Sequence, residues 1–447
     1  MKKNVFLVVA LFLVAFGLRF YDISYPNFRW MDETGHVPAA VHYWNDGQFE
    51  PDNWEHPPLR PVILYGFLQL FGDNPYGWRM RNVLFGALAA VLTGLFAWEI
   101  SGSRKTALMA GLLLATDPLH IVLSRFTFCE VYGGAFSLAA IVLYIKYANG
   151  CKKHVFSLCA GKGVNPASSS LKGGNGDGGD AACTADSNTH NILFVSSALF
   201  AGCALAIKWN FVPGWILVLI LALLLNNNYR NFKSALFVVS VYLFIPLSVY
   251  IISFYPWFGR GYSFGEFVEF VTNIYYSFQL YIPQRYDQGL VFLSHVSAGE
   301  WFIRPIVVGQ GTYLSADFGE FILFVNNLPI WILTIPSMIV LSVVAVRRKT
   351  IAVALPALFF CASYMLFLVF VRRPAFLYST APLLPFAFTA IAFMITKLSD
   401  RYGSRLFYAV LAVMVSWNLF LYPLVTAKKV PIALYSYIIN NPDVKLH

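Results

Sequence analysis

The segment RWMDETGH, residues 29–36, places four ionisable side chains in eight positions of a chain in which only 12% of residues are charged. Asp32 and Glu33 are neighbours, so on a helix they would point about 100° apart and could not act on the same atom. His36 follows Asp32 by four residues, the spacing at which two side chains meet on one helical face. A carboxylate held there could accept a proton from a hydroxyl group, with His36 holding it in place. The alternative is a solvated first turn of a surface helix.

Other ionisable side chains stand at or near the ends of apolar runs. They are Arg125 and Glu130 in SRFTFCE, Lys208 in AIKWNF and Arg372 in VRRPAF, while His56 in WEHPPL lies on a rigid corner made by the two prolines that follow it. Taken singly, each basic residue fits an anchor that reaches for the membrane surface. Taken together, cations and carboxylates at one membrane level predict a functional site. The chemistry would be the binding of an anion, such as a lipid phosphate, beside a general base.

The elements that must position these residues are membrane helices. The chain has 447 residues, is 58% hydrophobic and has a mean hydropathy of +0.61, whereas soluble domains are about half apolar and a quarter charged. Apolar runs long enough to cross a bilayer recur throughout. Eleven spans are predicted, at 4–21, 82–100, 105–121, 128–147, 192–208, 211–226, 234–254, 327–345, 350–370, 376–396 and 405–424.

Lysine and arginine decide the orientation of these spans. With Lys2 and Lys3 in the cytoplasm, every short inside loop is basic, as the positive-inside bias requires. The first run then stays as a helix, and the net charge of +10 calls for no nucleic-acid partner. The cytoplasmic segment 149–191 is rich in Gly, Ser, Asn and Asp, which predicts a disordered insertion.

Two large outer loops, 22–81 and 255–326, remain outside the membrane in this arrangement. The first is expected to hold short surface helices near 33–45 and 58–71, and the second an amphipathic stretch near 264–281. The whole chain, 1–447, is thus predicted to be a single all-α polytopic membrane domain in which both outer loops help to build the site.

Several blocks of the sequence resemble the protein O-mannosyltransferase family, within the C-type (GT-C) superfamily of glycosyltransferases that use lipid-phosphate sugars. The matching blocks are DE at 32–33, HPPL at 56–59, Arg125 with Glu130, KWNF at 208–211, FYPWF at 254–258, HVSAGEWFIRPI at 295–306, NNLPIWIL at 326–333 and RRPAFLYSTAPLLP from Arg372. Three features depart from the family. Glu130 stands where the family carries aspartate, YST at 378–380 replaces a segment that usually contains histidine, and the second outer loop has no MIR-type domain.

The resemblance implies a GT-C fold and an enzyme that transfers a sugar, typically mannose, from a polyprenyl-phosphate donor with inversion at C1. The acceptor would be a serine or threonine hydroxyl of a protein at the outer face of the cell membrane. Asp32 would be the catalytic carboxylate, supported by Glu33. The donor phosphate would be held by Arg125, Lys208 and Arg372. His36, His56, Glu130 and His295 would support these groups or contact the acceptor.

Two other functions remain open. The same donor could serve a glycolipid, lipid A or a polysaccharide, because nothing in the sequence identifies the acceptor. The chain could instead transport a lipid-linked sugar, although its polar cluster lies in the outer loops and not at the bilayer midplane where transporters bind. No cofactor is expected, since arginine and lysine can hold a monophosphate. The alternative is a divalent cation, with Asp32, Glu33, His36, His56 and His295 as its possible ligands.

Overall fold

The computed structural model describes residues 2–46, 56–151, 187–225, 232–280, 298–315, 317–348, 350–370, 376–439 and 444–445. Its helices are α1 Lys2–Phe20, α2 Glu33–Asp46, α3 Leu59–Phe71, α4 Pro75–Ser101, α5 Arg104–Thr116, α6 Pro118–Arg125, α7 Cys129–Cys151, α8 Ser187–Leu205, α9 Val212–Leu225, α10 Phe232–Ile252, α11 Tyr255–Phe258, α12 Phe264–Leu280, α13 Leu328–Trp331, α14 Thr334–Arg348, α15 Ile351–Met365, α16 Leu384–Tyr402, α17 Ser404–Val425 and α18 Ile432–Ile439. Its strands are β1 Val307–Leu314, β2 Phe318–Val325, β3 Lys429–Pro431 and β4 Val444–Lys445.

A helix lies in each of the eleven predicted spans, but fewer of these helices are long and apolar enough to cross a membrane. In the part of the chain that the structure describes, six pass on length and composition, and seven if the bent pair α5–α6 counts as one span: Pro75–Ser101, Cys129–Gly150, Phe232–Ile252, Leu328–Arg348, Ile351–Val369, Ser404–Val425 and the pair. Val5–Phe20, Thr189–Leu205 and Trp209–Leu225 are shorter apolar helices. The multi-pass helical architecture is therefore confirmed, and within the described residues six or seven of the eleven predicted spans meet this length and composition test.

The run 105–121, predicted as one span, is two helices that meet at 56°. Pro118 has no N–H to donate, and its ring disfavours a helical residue before it. Asp117 therefore leaves the helix and caps α6, its carboxylate accepting from the His120 N–H at 2.9 Å. The bend brings Arg125, at the end of α6, to the last turn of α1.

The surface helices predicted in the outer loops are present as α2, α3 and α12. Val37 and Ala40 of α2 pack on Leu64 and Leu68 of α3, and each large side chain buried in this way contributes about 1.5–3 kcal/mol. On another side of α2, the buried Tyr43 ring packs against an aromatic cluster from the second loop. Helix α2 thus packs against α3 of its own loop on one side and against the second loop on another.

A four-stranded sheet in the order β3-β2-β1-β4 is the feature that the all-α prediction missed. β1 and β2 form an antiparallel hairpin with a bulge between Gly311 and Tyr313. β3, more than a hundred residues further along the chain, pairs antiparallel with β2. The Phe324 ring of β2 stacks on Trp30 at 5.8 Å, so the sheet covers the start of α2.

The described part of segment 149–191 is helical. Residues 149–151 end α7 and residues 187–191 begin α8. The rest of the predicted insertion lies outside the described residues.

Candidate active site

The start of α2 is fixed by hydrogen bonds and by ring packing. Met31 has a φ of +48°, which turns the chain so that the Glu33 N–H donates to the Trp30 carbonyl at 3.1 Å and the His36 N–H to that of Asp32 at 2.8 Å. The Trp30 ring, 5% exposed, lies 4.7 Å from the ring of Phe126. Asp32 therefore occupies the N-cap position of a helix whose first turn is firmly packed.

Glu33 is fully occupied by other groups. Its carboxylate accepts from Arg79 Nε at 2.9 Å and Nη2 at 3.0 Å, with both side chains 0% exposed. It also accepts from the Trp30 N–H at 3.1 Å. Arg79 donates in addition to the carbonyls of Ile23 and Phe28 at 2.8 and 3.0 Å. Glu33 therefore ties the first outer loop to α4, and the role predicted for it in the site stays a prediction.

The carboxylate of Asp32, in contrast, is accessible to a ligand. Its side chain is 39% exposed, and within the described part of the chain no hydrogen-bond donor reaches its carboxylate. The protein surrounding it raises the pKa of Asp32 to about 6, chiefly by desolvation and next by the charge of Glu130, while Arg60 and Lys208 act in the opposite direction. An accessible carboxylate with this pKa can accept a proton near neutral pH.

His36 holds Arg60 and not Asp32, which corrects the expectation from the sequence. Its Nδ1–H donates to the Thr127 carbonyl at 3.0 Å, so Nε2 carries the lone pair and accepts from Arg60 Nη1 at 2.5 Å. The Asp32 carboxylate lies 4.0 Å from Nε2, beyond hydrogen-bond reach. Desolvation, and then the charge of Arg60, hold the pKa of His36 well below its usual value. The ring is therefore neutral.

Glu130 and Lys208 form a buried ion pair beside this group, with 1% and 3% of their side chains exposed. The ammonium group of Lys208 also lies 5.4 Å from the centre of the Tyr378 ring. The half-buried His56 lies just before α3. The N–H of Leu59, the first residue of α3, donates to the Ala206 carbonyl at 3.1 Å. The structure thus brings together the HPPL and KWNF segments.

Arg60, Arg81 and Tyr132 are candidate site residues that the sequence analysis missed. Arg81 Nη1 and Nη2, Arg60 Nε and the Tyr132 hydroxyl are buried without a hydrogen-bond partner among the described residues. The Arg81 guanidinium lies over the Tyr132 ring at 4.7 Å, and its only hydrogen bond among those residues goes from Nε to Asn82 at 3.0 Å. Unpaired buried donors cost free energy unless a ligand completes them. One signal was in the sequence, because HPPL is followed directly by Arg60 and the span at 82–100 begins directly after Arg81.

The charges do not balance across this group. Lys208 offsets Glu130, and Arg79 offsets Glu33. Arg60 and Arg81 then face the single negative charge of Asp32, which leaves one positive charge in excess. A site with a free carboxylate and surplus buried cations can bind an anion and remove a proton next to it.

Arg125 has a different position from the one predicted. Its Nη1 donates to the carbonyls of Arg19 and Tyr21 at 3.0 and 2.6 Å, and its Nη2 to that of Asp22 at 2.9 Å. The side chain is 1% exposed. Its terminal nitrogens thus satisfy one carbonyl in the last turn of α1 and two carbonyls of the turn that follows, where the helix dipole also favours a cation. Only Nε of Arg125 is without a hydrogen-bond partner among the described residues, so the geometry favours a structural anchor over the predicted phosphate ligand.

Two predicted site residues, Arg372 and His295, lie outside the described residues. Within the described ranges, no group of three or more His, Cys, Asp or Glu side chains could hold a metal ion. The expectation that no metal is required stays a prediction.

Comparison with known sequences finds similarity to one family over part of the chain. Residues 66–165 match the sequence model of the family "Dolichyl-phosphate-mannose-protein mannosyltransferase". The "Polyprenol-phosphate-mannose--protein mannosyltransferase" of Mycolicibacterium smegmatis is 31% identical over 115 residues, which is 24% of this chain and 22% of that protein. The match thus spans about a fifth of the length of that relative.

Comparison with solved structures covers nearly the whole chain. The Saccharomyces cerevisiae protein O-mannosyltransferase Pmt1-Pmt2 complex bound to the sugar donor superposes with a TM-score of 0.73 over 99% of this chain and 93% of that one, at 11% identity. ArnT from Cupriavidus metallidurans bound to undecaprenyl phosphate gives 0.56 over 90% of this chain and 61% of that one, at 14% identity. The predicted GT-C fold and the resemblance to protein O-mannosyltransferases are therefore confirmed.

Proposed function

We propose that this protein is a glycosyltransferase that moves a sugar, mannose in the first instance, from a polyprenyl-phosphate donor to a serine or threonine hydroxyl of a protein. The observation that carries the proposal is the half-exposed Asp32 carboxylate beside the unpaired donors of Arg60 and Arg81. The relatives named above support the donor and acceptor classes. A lipid-linked donor also suits a site at the end of a bundle of apolar helices.

In the proposed reaction, Asp32 accepts the proton of the acceptor hydroxyl while that oxygen attacks C1 of the sugar. The bond between C1 and the phosphate oxygen breaks, and the bond between C1 and the acceptor oxygen forms on the opposite face, which inverts the configuration. The leaving phosphate takes the electron pair of the broken bond. Arg60 and Arg81, joined by Lys208, stabilise that charge in a dry environment.

The function is tested with the full chain in sealed vesicles that expose the outer face, supplied with radiolabelled polyprenyl-phosphate mannose and a membrane-impermeant acceptor peptide. We expect label in the peptide, and we expect a chelator to leave the rate unchanged. If label is recovered only in lipid or polysaccharide, the acceptor is one of those molecules and not a protein. Movement of intact donor between leaflets without any transfer would show a transporter and refute the proposal.

Two arginine variants are expected to separate phosphate binding from anchoring. Arg81→Gln should weaken donor binding about tenfold or more, because charge-assisted hydrogen bonds are worth about 1.5–3 kcal/mol. It should not destabilise the empty protein, since it removes a buried charge that has no ion-pair partner among the described residues. Arg125→Gln should lower stability and leave the affinity for donor unchanged. Donor titration and thermal unfolding of both variants in one detergent give the comparison, and equal effects on donor affinity would contradict it.

The pH dependence of the reaction follows from Asp32, whose pKa is raised to about 6. Below that pH the carboxyl group is protonated and cannot accept the acceptor's proton. We therefore expect kcat/KM, which reports on the free enzyme, to be level above pH 6 and to fall about tenfold per pH unit below it. The donor phosphodiester keeps one negative charge throughout this range. A rate that stays level down to pH 4.5, in protein that remains folded, would exclude Asp32 as the base.

A further inference from the structure

A cavity of about 250 Å³ lies between α1, α4 and α5, far from the candidate active site. Leu11, Val91, Leu95 and Trp98 contribute to its apolar walls. Along α4, Trp98 stands about 25 Å from Arg81 at 1.5 Å per residue. That separation is close to the thickness of the hydrocarbon layer. The cavity therefore belongs to the opposite membrane surface.

Charged side chains stand where the apolar walls end. Arg104, at the start of α5, and Lys146, near the end of α7, both line the cavity and are exposed. Neither forms an ion pair with another described residue. Glu99 is the carboxylate at the same place, and it accepts from the Asn149 side-chain amide at 3.0 Å. The end of the cavity thus carries two cations against one anion, an excess of one positive charge.

We propose that this cavity binds an anionic phospholipid of the surrounding bilayer, with part of one acyl chain between α1 and α4 and the phosphate between Arg104 and Lys146. The apolar walls supply the surface that an acyl chain needs. The excess positive charge favours a headgroup with a net negative charge over a zwitterionic one. Trp98 lines the cavity at the level where tryptophan marks the membrane interface.

The headgroup is tested by native mass spectrometry of the purified full chain with equal amounts of dioleoylphosphatidylglycerol and dioleoylphosphatidylcholine. We expect the wild type to retain phosphatidylglycerol preferentially. Arg104→Gln combined with Lys146→Gln should reduce that preference about 25-fold, because each cation near the surface contributes roughly fivefold. Lys105→Gln is the matched control, since Lys105 neighbours Arg104 but lies over the Phe407 ring instead of in the cavity.

The acyl-chain site is tested by substitutions that fill the cavity with a larger side chain. Leu95→Trp should expel the lipid, whereas Leu88→Trp, on the same helix at a position that is 41% exposed, should leave binding unchanged. Leu95→Ala enlarges the cavity and should keep the lipid, which separates loss of space from loss of the leucine, and the double glutamine variant still tests the site if the tryptophan variant does not fold. The lipid readout requires no turnover, so its result is independent of the proposed enzymatic function.

Three results would overturn this assignment. Equal retention of the two phospholipids would show that charge does not select the occupant. Unchanged preference in the double glutamine variant would place the headgroup elsewhere. Displacement of phosphatidylglycerol by a smaller amount of undecaprenyl phosphate would show that the cavity is built for a polyprenyl lipid.

Discussion

Replacement of Asp32 by asparagine is expected to lower turnover by about a hundredfold or more, the usual contribution of a general base. Asparagine keeps the size of the side chain but cannot accept the proton of the acceptor hydroxyl. The carboxylate receives no hydrogen bond from the described residues and is 39% exposed. Stability and donor binding should therefore be retained, and single-turnover transfer measured beside a donor titration separates the two effects.

Asp46→Asn provides the matched control for this experiment. Asp46 lies at the other end of the same helix, where its carboxylate pairs with His42 at 3.4 Å and is 54% exposed. It should transfer sugar at the wild-type rate. Normal turnover of Asp32→Asn would assign the base to another group, and loss of donor binding in that variant would assign Asp32 to the donor site.

Replacement of Glu33 by glutamine is expected to destabilise the protein by about 3–5 kcal/mol, because it leaves the buried charge of Arg79 without its partner. The two side chains are 0% exposed and share two hydrogen bonds of 2.9 and 3.0 Å. The effect should appear as a lower unfolding midpoint and a lower yield of folded protein. Any loss of turnover should follow the loss of folded protein.

The exposed pair formed by Glu300 and Arg304 is the control for this ion pair. Its side chains are 36% and 65% exposed, so Glu300→Gln should cost at most about 0.5 kcal/mol. A Glu33→Met, Arg79→Leu double variant should recover part of the stability lost by Glu33→Gln, because no buried charge is left alone. A stable Glu33→Gln protein that binds donor but fails to turn over would instead make Glu33 a catalytic residue.

The sequence alone was sufficient to locate the helices. Continuous apolar runs set the membrane helices, and charge, proline and aromatic residues set the surface helices α2 and α3 within a few residues. The hairpin of β1 and β2 was not found, because an apolar run such as FILFV, residues 321–325, fits a strand as well as a helix. Its partner β3 is also more than a hundred residues away. Such pairing depends on contacts that no local pattern records.

For the candidate site, too, the sequence determined some features and the tertiary structure decided the others. Residue types and the family resemblance pointed to Asp32, Glu33, Glu130 and Lys208. The sequence also shows that the carboxylates of Asp32 and Glu33, which are adjacent, lie in the same loop. Only the tertiary structure decided which carboxylate is free, because that depends on Arg79 being buried against Glu33. It likewise decided which arginines can meet an anion. At Arg125, neighbouring carbonyls already accept hydrogen bonds from both terminal nitrogens, so few donors remain for a ligand. At Arg81, both terminal nitrogens are without partners among the described residues, so all of their donors remain.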